Sequence, residues 1–164
     1  MAIQWFPGHM NKARKKISEA MPGIDLVVEV LDARLPWSST NPLVDELRGD
    51  KTCIKVLNKA DLADPAVTRQ WVTYFEQQLN TKAMPLVAEE RQQVKKLIAL
   101  CKQLGAARLE KKQPVRIMIM GIPNVGKSSL INRLAGKKIA RTGDQPAVTK
   151  KEQWVRIDQT FELL

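Results

Sequence analysis

Residues 121–128 read Gly121-Ile122-Pro123-Asn124-Val125-Gly126-Lys127-Ser128 and fit the phosphate-binding pattern G-x-x-x-x-G-K-[ST]. The apolar run at 115–120 predicts a buried strand before this loop, and residues 129–134 predict the start of a helix after it. Such a loop wraps a phosphate with backbone N–H groups, and the helix N-terminus adds partial positive charge. The stretch therefore predicts an α/β fold that binds a nucleoside triphosphate.

The residue types of this loop assign individual roles. Lys127 is expected to reach the β- and γ-phosphates, and the Ser128 hydroxyl is expected to ligate Mg²⁺. A chance glycine loop is the alternative, which the predicted strand–loop–helix order disfavours. The other predicted phosphate contacts are Pro123, Asn124, Val125, Gly126 and Ser129.

The base is indicated by Asn58-Lys59-Ala60-Asp61, which follows the strand-like run 52–57. The Asp61 carboxylate can accept hydrogen bonds from guanine N1–H and from the N2 amine, and adenine lacks those donors. Asn58 is expected to bond the opposite edge of the base, with the Lys59 stem over its face. Alone, the pattern fits a capped turn that begins a helix; beside the phosphate loop it favours guanine.

The motifs stand in an unusual order, because Asn58 precedes Gly121, as a circular permutation would arrange them. The chain also carries Gln4-Trp5-Phe6-Pro7-Gly8-His9-Met10, Asp32-Ala33-Arg34-Leu35-Pro36 and Pro146-Ala147-Val148-Thr149. With these segments it resembles the circularly permuted GTPases, and among them those of ribosome biogenesis, over essentially all of its length. The resemblance implies a three-layer α/β P-loop GTPase fold with one GTP-binding domain, residues 1–164.

The resemblance also implies GTP or GDP and Mg²⁺ as ligands. Thr149 would complete the Mg²⁺ site when the switch loop closes, and it would act with Lys127 in catalysis. The second base-contacting loop of the family, often a serine–alanine pair, falls on Leu86, Val87 and Ala88. Although the serine is missing, a backbone N–H of this loop is expected to bond guanine O6.

Two further roles are hypotheses. His9, the only histidine, is the candidate for orienting the attacking water, because the family carries an apolar residue where other GTPases use glutamine. Its alternatives are helix capping and contact with an RNA phosphate. Asn124 is the candidate ligand for an activating K⁺ ion. The alternative is an asparagine that tolerates the loop's backbone geometry.

The chain departs from the family pattern in two places. The D-x-P-G motif is expected after a strand at 160–164, where the sequence stops, and the C-terminal helical domain of the family does not follow. A truncated GTP-binding domain is therefore expected, and its hydrolytic activity is left open. Ala147 replaces the usual glycine beside Thr149, which is expected to alter the mobility of the switch loop.

Charge indicates the partner. Lysine and arginine total 27 against 17 acidic residues, a net charge of +10. Basic clusters are typical of nucleic-acid binders, although a solvated basic surface is the alternative. The resemblance implies that the partner is the precursor of the large ribosomal subunit and its ribosomal RNA. The clusters are Lys12, Arg14, Lys15 and Lys16; Lys111 and Lys112; and Lys137, Lys138, Arg141, Lys150 and Lys151.

Three functions are weighed. The leading prediction is a cytoplasmic, monomeric GTPase whose nucleotide state times binding to and release from the precursor subunit. A GTP-binding, RNA-associated module without useful hydrolysis is the first alternative. A P-loop ATPase or nucleotide kinase is the second, and Asn58–Asp61 argues against it. No membrane span or secretory signal is found, and Cys53 and Cys101 are expected to be reduced core thiols.

Periodicity predicts the remaining elements. The aromatic helix after the Asp64-Pro65 cap is expected to pack through Val67, Trp71, Tyr74, Phe75 and Leu79. Gly105 is expected to end a helix at 90–104. The other predicted elements are an amphipathic helix at 10–21 after a loop-like entry, strands at 24–31 and 84–88, and a linker at 106–113, with both halves of the chain in one sheet.

Overall fold

A computed structural model describes the backbone of residues 7–122, 124–136, 155–156 and 161–163, and the side chains of residue 12 and of residues 14–122 and 124–136. Helices and strands alternate along most of this length, as in α/β proteins. The helices are α1 (Pro7–Ala20), α2 (Pro42–Arg48), α3 (Pro65–Glu76), α4 (Arg91–Leu104), α5 (Ala106–Glu110) and α6 (Lys127–Ala135). The strands are β1 (Leu26–Asp32), β2 (Cys53–Asn58), β3 (Thr81–Pro85), β4 (Val115–Met120), β5 (Val155–Arg156) and β6 (Phe161–Leu163).

The six strands of the described ranges form one sheet in the order β3-β2-β1-β4-β6-β5. The neighbours are parallel except for β5, which runs antiparallel to β6. In the register of β1 with β2, Asp32 lies opposite Asn58. The carboxyl ends of β1, β2 and β4 therefore share one edge, where parallel sheets place their ligand sites. The prediction that both halves of the chain share one sheet is confirmed.

Helices cover both faces of the sheet because alternate residues of a strand point to opposite sides. Leu26 and Val28 of β1 pack in a buried cluster beneath α4 and α6, whereas Val27 packs with residues of α1 and α2. Leu31 belongs to a third cluster with Phe75 of α3. The predicted three-layer α/β class is confirmed.

The prediction for α3 is wrong in part. Phe75 is buried, but Val67, Tyr74 and Leu79 are 47%, 42% and 78% exposed. Leu79 lies beyond the helix, which ends at Glu76, so helical spacing no longer directs its side chain inward. Tyr74 instead meets Trp37 of the loop after β1 edge to face, with the ring centroids 6.2 Å apart.

Smaller differences concern boundaries. Helix α1 begins at Pro7, so the predicted loop around His9 is helical in its backbone. The strand expected at 84–88 is Thr81–Pro85, and the expected linker contains α5. Gly105 does end α4, but its φ is −98°. Glycine is required there by space, since a Cβ would lie 2.5 Å from Val115 Cγ2.

A buried ion pair joins the two central strands to α2. Lys55 Nζ lies 2.5 Å from Glu29 Oε1 and 3.0 Å from Asp45 Oδ1, and both Glu29 and Lys55 are almost fully buried. Burial is the largest single influence on Lys55 and opposes its charge, but Glu29 and the other neighbouring groups, Asp45 among them, together raise the pKa of the ammonium. Glu29 Oε2 also accepts from the Asn41 N–H at 3.1 Å, which fixes the start of α2.

Cys53 and Cys101 are free and buried, as predicted. Burial raises the pKa of the Cys53 thiol to about 11 and that of Cys101 to about 12, so both stay protonated at neutral pH. Within the described ranges no helix has the length and apolar character needed to cross a bilayer.

Candidate nucleotide-binding site

The loop between β4 and α6 adopts a conformation that depends on glycine. Gly126 has φ +89° and Asn124 has φ +70°, both in the left-handed region. A Cβ at Gly121 would lie 2.9 Å from the Val30 carbonyl oxygen, so this residue lets the loop leave β4 tightly against β1. Pro123 lies outside the described residues, and its phosphate contact stays a prediction.

The loop ends in the N-terminus of α6, which begins at Lys127 and has no side-chain cap. Such an end concentrates N–H donors and partial positive charge. Burial lowers the pKa of Lys127, and no ion pair holds its ammonium among the residues with described side chains. A phosphate placed there would oppose this lowering of the pKa by favouring the charged ammonium, so the position suits the predicted anion contact.

Asn58 ties three loops together. Its Nδ2 donates to the Val125 carbonyl at 2.9 Å, and its Oδ1 accepts from the Ala88 N–H at 3.1 Å. The side chain is buried, and a Cβ on Gly126 would lie 2.3 Å from Nδ2. The amide predicted to bond the edge of the base is thus engaged within the protein. It braces the phosphate loop against the two loops predicted to hold guanine.

Lys59 makes a second link to the phosphate loop. It has φ +61°, and its Nζ donates to the Asn124 carbonyl at 3.0 Å. The same Nζ lies 4.0 Å from Asp32 Oδ2. The predicted stem contact with the base stays untested, but the side chain crosses the gap between the base loop and the phosphate loop.

Asp32, the last residue of β1, and Arg34, in the loop after it, also belong to this edge. Arg34 Nε and Nη2 donate to the two Asp32 carboxylate oxygens at 3.0 and 2.8 Å. These hydrogen bonds lower the pKa of Asp32 and keep it ionised beside Lys59. The signal in the sequence was the D-A-R-x-P segment directly after a buried strand, but its partner Lys59 could be found only from the strand register.

The third loop that Asn58 joins, residues 86–88, changes the prediction of a backbone N–H bond to guanine O6. The Leu86 N–H donates to the Leu57 carbonyl at 2.9 Å, and the Val87 N–H donates to Gln93 Oε1 at 2.7 Å. The Ala88 N–H donates to Asn58 Oδ1 at 3.1 Å. None of the three is left for guanine O6, because each already serves the fold. The next N–H along the loop is that of Glu89, which has no described acceptor and is the remaining candidate donor to guanine O6.

Asp61 follows the carboxyl end of β2, and its contact with guanine stays a prediction. It is exposed in the turn Ala60–Leu62, and the Ala60 N–H donates to the Leu86 carbonyl at 3.1 Å. This bond places the turn beside the third loop. The exposed carboxylate therefore belongs to a turn that lies beside the loop of residues 86–88, which Asn58 joins to the phosphate loop.

Several predicted residues cannot be placed. Thr149 lies outside the described residues, as does Ala147 beside it. His9 is in the first turn of α1, and its side chain is outside the described part. The described side chains include no group of three His, Cys, Asp or Glu that could hold a metal ion. Ser128, in the first turn of α6, remains the predicted Mg²⁺ ligand together with Thr149.

The brace can be tested with Asn58→Ala, which leaves the Val125 carbonyl and the Ala88 N–H without partners. Each buried unpaired group costs about 1–3 kcal/mol, so GDP affinity is expected to fall about 10- to 100-fold. Fluorescent GDP titration measures this change. Asn41→Ala is the matched control, because it also removes a side-chain bond to a backbone N–H, that of Leu43 at 3.0 Å, but at the start of α2. The control should lose stability and keep GDP affinity; equal losses in both variants would contradict the brace.

The chain is similar in sequence to known GTPases. Residues 116–164 match a family model described as 50S ribosome-binding GTPase. The chain is 47% identical over 172 residues to ribosome biogenesis GTPase A of Priestia megaterium, covering 100% of this chain and 59% of the relative. It is 40% identical over 156 residues to mitochondrial ribosome-associated GTPase 1 of Mus musculus, covering 90% and 48%. The chain spans 57–60% of the length of the bacterial relatives it matches.

Solved structures show the same fold. The crystal structure of GNP-bound YlqF from T. maritima aligns with a TM-score of 0.64 and 33% identity, covering 93% of this chain and 55% of that one. GDP-bound YlqF aligns with a TM-score of 0.61 and 32% identity, covering 90% and 55%. The first of these YlqF structures is bound to GNP and the second to GDP.

Proposed function

Since this chain belongs to the circularly permuted GTPases, we propose that it binds and hydrolyses GTP in the assembly of the large ribosomal subunit. The observation that carries the proposal is the Asn58 brace, which joins the phosphate loop, the Asn58–Asp61 loop and the 86–88 loop. A nucleotide needs its phosphate and base sites at a fixed separation, and this side chain sets it. Similarity to ribosome biogenesis GTPase A and to mitochondrial ribosome-associated GTPase 1 supports the cellular role.

GTP hydrolysis depends on correctly positioned charges more than on covalent catalysis. Lys127 and the N–H groups at the start of α6 would hold the β- and γ-phosphates and stabilise their developing negative charge. A hydroxyl at the start of α6 suits Mg²⁺, a hard cation that prefers oxygen, so Ser128 and Thr149 would hold it. Bound Mg²⁺ would neutralise phosphate charge. His9 would orient the attacking water, and the exposed Asn124 side chain would contribute an oxygen to K⁺.

Charge supports an RNA partner. Four basic side chains of α1 are exposed, and only Arg14 is paired, with Glu46 of α2, among the described residues. Cationic side chains without a sequence-reading motif suit RNA, whose helices are recognised through backbone and shape. We therefore propose precursor ribosomal RNA as the surface to which a cytoplasmic, monomeric protein binds in its GTP state. The four side chains are Lys12, Arg14, Lys15 and Lys16.

The nucleotide is tested by displacement of fluorescent GDP in Mg²⁺ buffer, first with unlabelled GTP and then with ATP. Displacement by GTP but not by ATP is the expected result. Displacement by both nucleotides would favour the alternative of a P-loop ATPase. Hydrolysis is then measured with and without purified large subunits, in potassium and in sodium buffer. Binding of GTP without stimulated hydrolysis would leave an RNA-associated GTP-binding module as the function.

Asp61→Asn tests the base contact. The amide can no longer accept from both guanine donors, so GDP affinity should fall by about two orders of magnitude. An asparagine N–H can instead donate to the C2 carbonyl of xanthine, so affinity for the xanthine nucleotide should rise. Asp64→Asn is the control: it changes a nearby exposed carboxylate, and asparagine caps α3 as well as aspartate does. Unchanged base preference in Asp61→Asn would remove this residue from the site.

A further inference from the structure

The outward surface of α4 carries three lysines and no acidic residue, although the sequence clusters did not include it. Six exposed side chains recur at the spacing of one helix face. None of them is acidic, and α4 itself contains no acidic residue. We define the α4 outer face as Gln92, Lys95, Lys96, Ala99, Lys102 and Gln103.

Every polar side chain of the α4 outer face can donate a hydrogen bond. Three are ammonium groups and two are amides, while Ala99 leaves the centre of the face flat. Lys95 and Lys96 have no ion-pair partner among the described side chains. Such a face offers donors to a row of anionic oxygens and repels none of them.

We propose that the α4 outer face binds the phosphate backbone of an RNA helix. This inference rests on the proposed function and adds a second RNA contact to the one proposed for α1. Phosphate contacts in nucleic-acid complexes come largely from lysine, arginine and amide side chains. The face carries no aromatic or large aliphatic anchor, which a protein partner would need at the centre of its interface, and protein interfaces are depleted in lysine. A membrane surface would need an apolar face to insert, and α4 turns its apolar side to the core.

The position of α4 gives this contact a separate target. Val94, Leu97 and Cys101 pack against one side of the sheet, whereas Ile17 of the basic helix α1 packs against the other. The basic residues of α1 and the α4 outer face are thus on opposite sides of the domain. A single straight RNA helix cannot touch both, so the domain contacts two RNA segments.

The neighbouring charges limit the face at its N-terminal end. Glu89 and Glu90 precede α4 and are exposed, with Glu90 accepting from Gln93 Nε2 at 2.6 Å. Arg91 and Arg133 lie beside them, and Arg133 Nη2 donates to the Glu89 carbonyl at 3.2 Å. The favourable potential is therefore centred on the lysines further along the helix.

The test compares Lys95→Gln/Lys96→Gln with the matched control Arg69→Gln/Lys82→Gln. Both pairs remove two positive charges from exposed positions, the control pair from α3 and β3 on the far edge of the sheet. Glutamine keeps the helix propensity of lysine. The probe is a 16-base-pair RNA duplex of mixed sequence, followed by fluorescence anisotropy from 50 to 200 mM KCl, and fluorescent GDP binding confirms that each variant is folded.

The α4 pair should weaken duplex binding roughly tenfold and lower the slope of log affinity against log salt by about 2, one for each phosphate contact. The control pair should change affinity by less than about twofold, since neither of its charges belongs to the α4 outer face. Equal losses in both pairs, or no loss in the α4 pair, would overturn the proposal while leaving RNA binding by the protein intact. If the unaltered protein binds no duplex, the proposed RNA partner fails and this contact with it. An acidic peptide is tested in the same anisotropy assay. If the α4 pair loses binding to this peptide but keeps duplex binding, the face contacts a protein and the RNA proposal is wrong.

Discussion

Gly126→Ala is expected to abolish measurable GDP binding, with a loss of about 100-fold or more. The new Cβ would lie 2.3 Å from Asn58 Nδ2, closer than unbonded atoms approach, and φ at this residue is +89°. The strain displaces either the phosphate loop or the Asn58 brace, so both halves of the site are damaged by one methyl group. Fluorescent GDP titration measures the affinity, and circular dichroism reports whether the fold persists.

Gly49→Ala separates the clash from the backbone strain. Gly49 also has a positive φ, +59°, but a Cβ there would meet nothing within 4 Å. This variant should cost about 1 kcal/mol of stability and leave GDP affinity unchanged. If Gly126→Ala bound GDP as well as Gly49→Ala does, the contact between Gly126 and Asn58 would not govern the site.

Lys55→Met is expected to cost about 3–5 kcal/mol of unfolding free energy, because it leaves the Glu29 carboxylate buried without its cation. Glu29 and Lys55 are 0% and 1% exposed, so water cannot replace the lost partner. Urea unfolding followed by circular dichroism measures the change. A loss of this size is a large part of the stability of a domain and is expected to show as a lower yield of folded protein.

Two further variants separate the buried charge from other effects of the substitution. Glu29→Met/Lys55→Met removes both charges and should recover most of the loss, since well-packed apolar residues often replace a buried ion pair without cost. Asp45→Asn weakens the outer partner, whose side chain is 45% exposed, and should cost less than about 1 kcal/mol. A double variant no more stable than Lys55→Met would show that packing, and not the unpaired carboxylate, causes the loss.

The ligand class, the fold class and the order of the motifs followed from the sequence, because each depends on residues that are close together in the chain. Gly121–Ser128 needs its glycines and its lysine at fixed spacing, and the apolar runs beside it predict their strand and helix locally. The position of Asn58 before Gly121 is likewise given directly by the sequence. Local periodicity failed within α3, where Val67 and Tyr74 are exposed, and beyond its end at Leu79.

The partners of the site residues were decided by the tertiary structure. Asn58 was predicted to face the base, but the neighbouring loops bring Val125 and Ala88 to its amide. The charges of Glu29 and Lys55 interrupt apolar strands, and only the register of β1 with β2 places one beside the other. Spacing along the chain fixes which face a side chain occupies, whereas its partner comes from a distant segment, so hydrogen bonds and ion pairs across the sheet follow from strand register and loop packing alone.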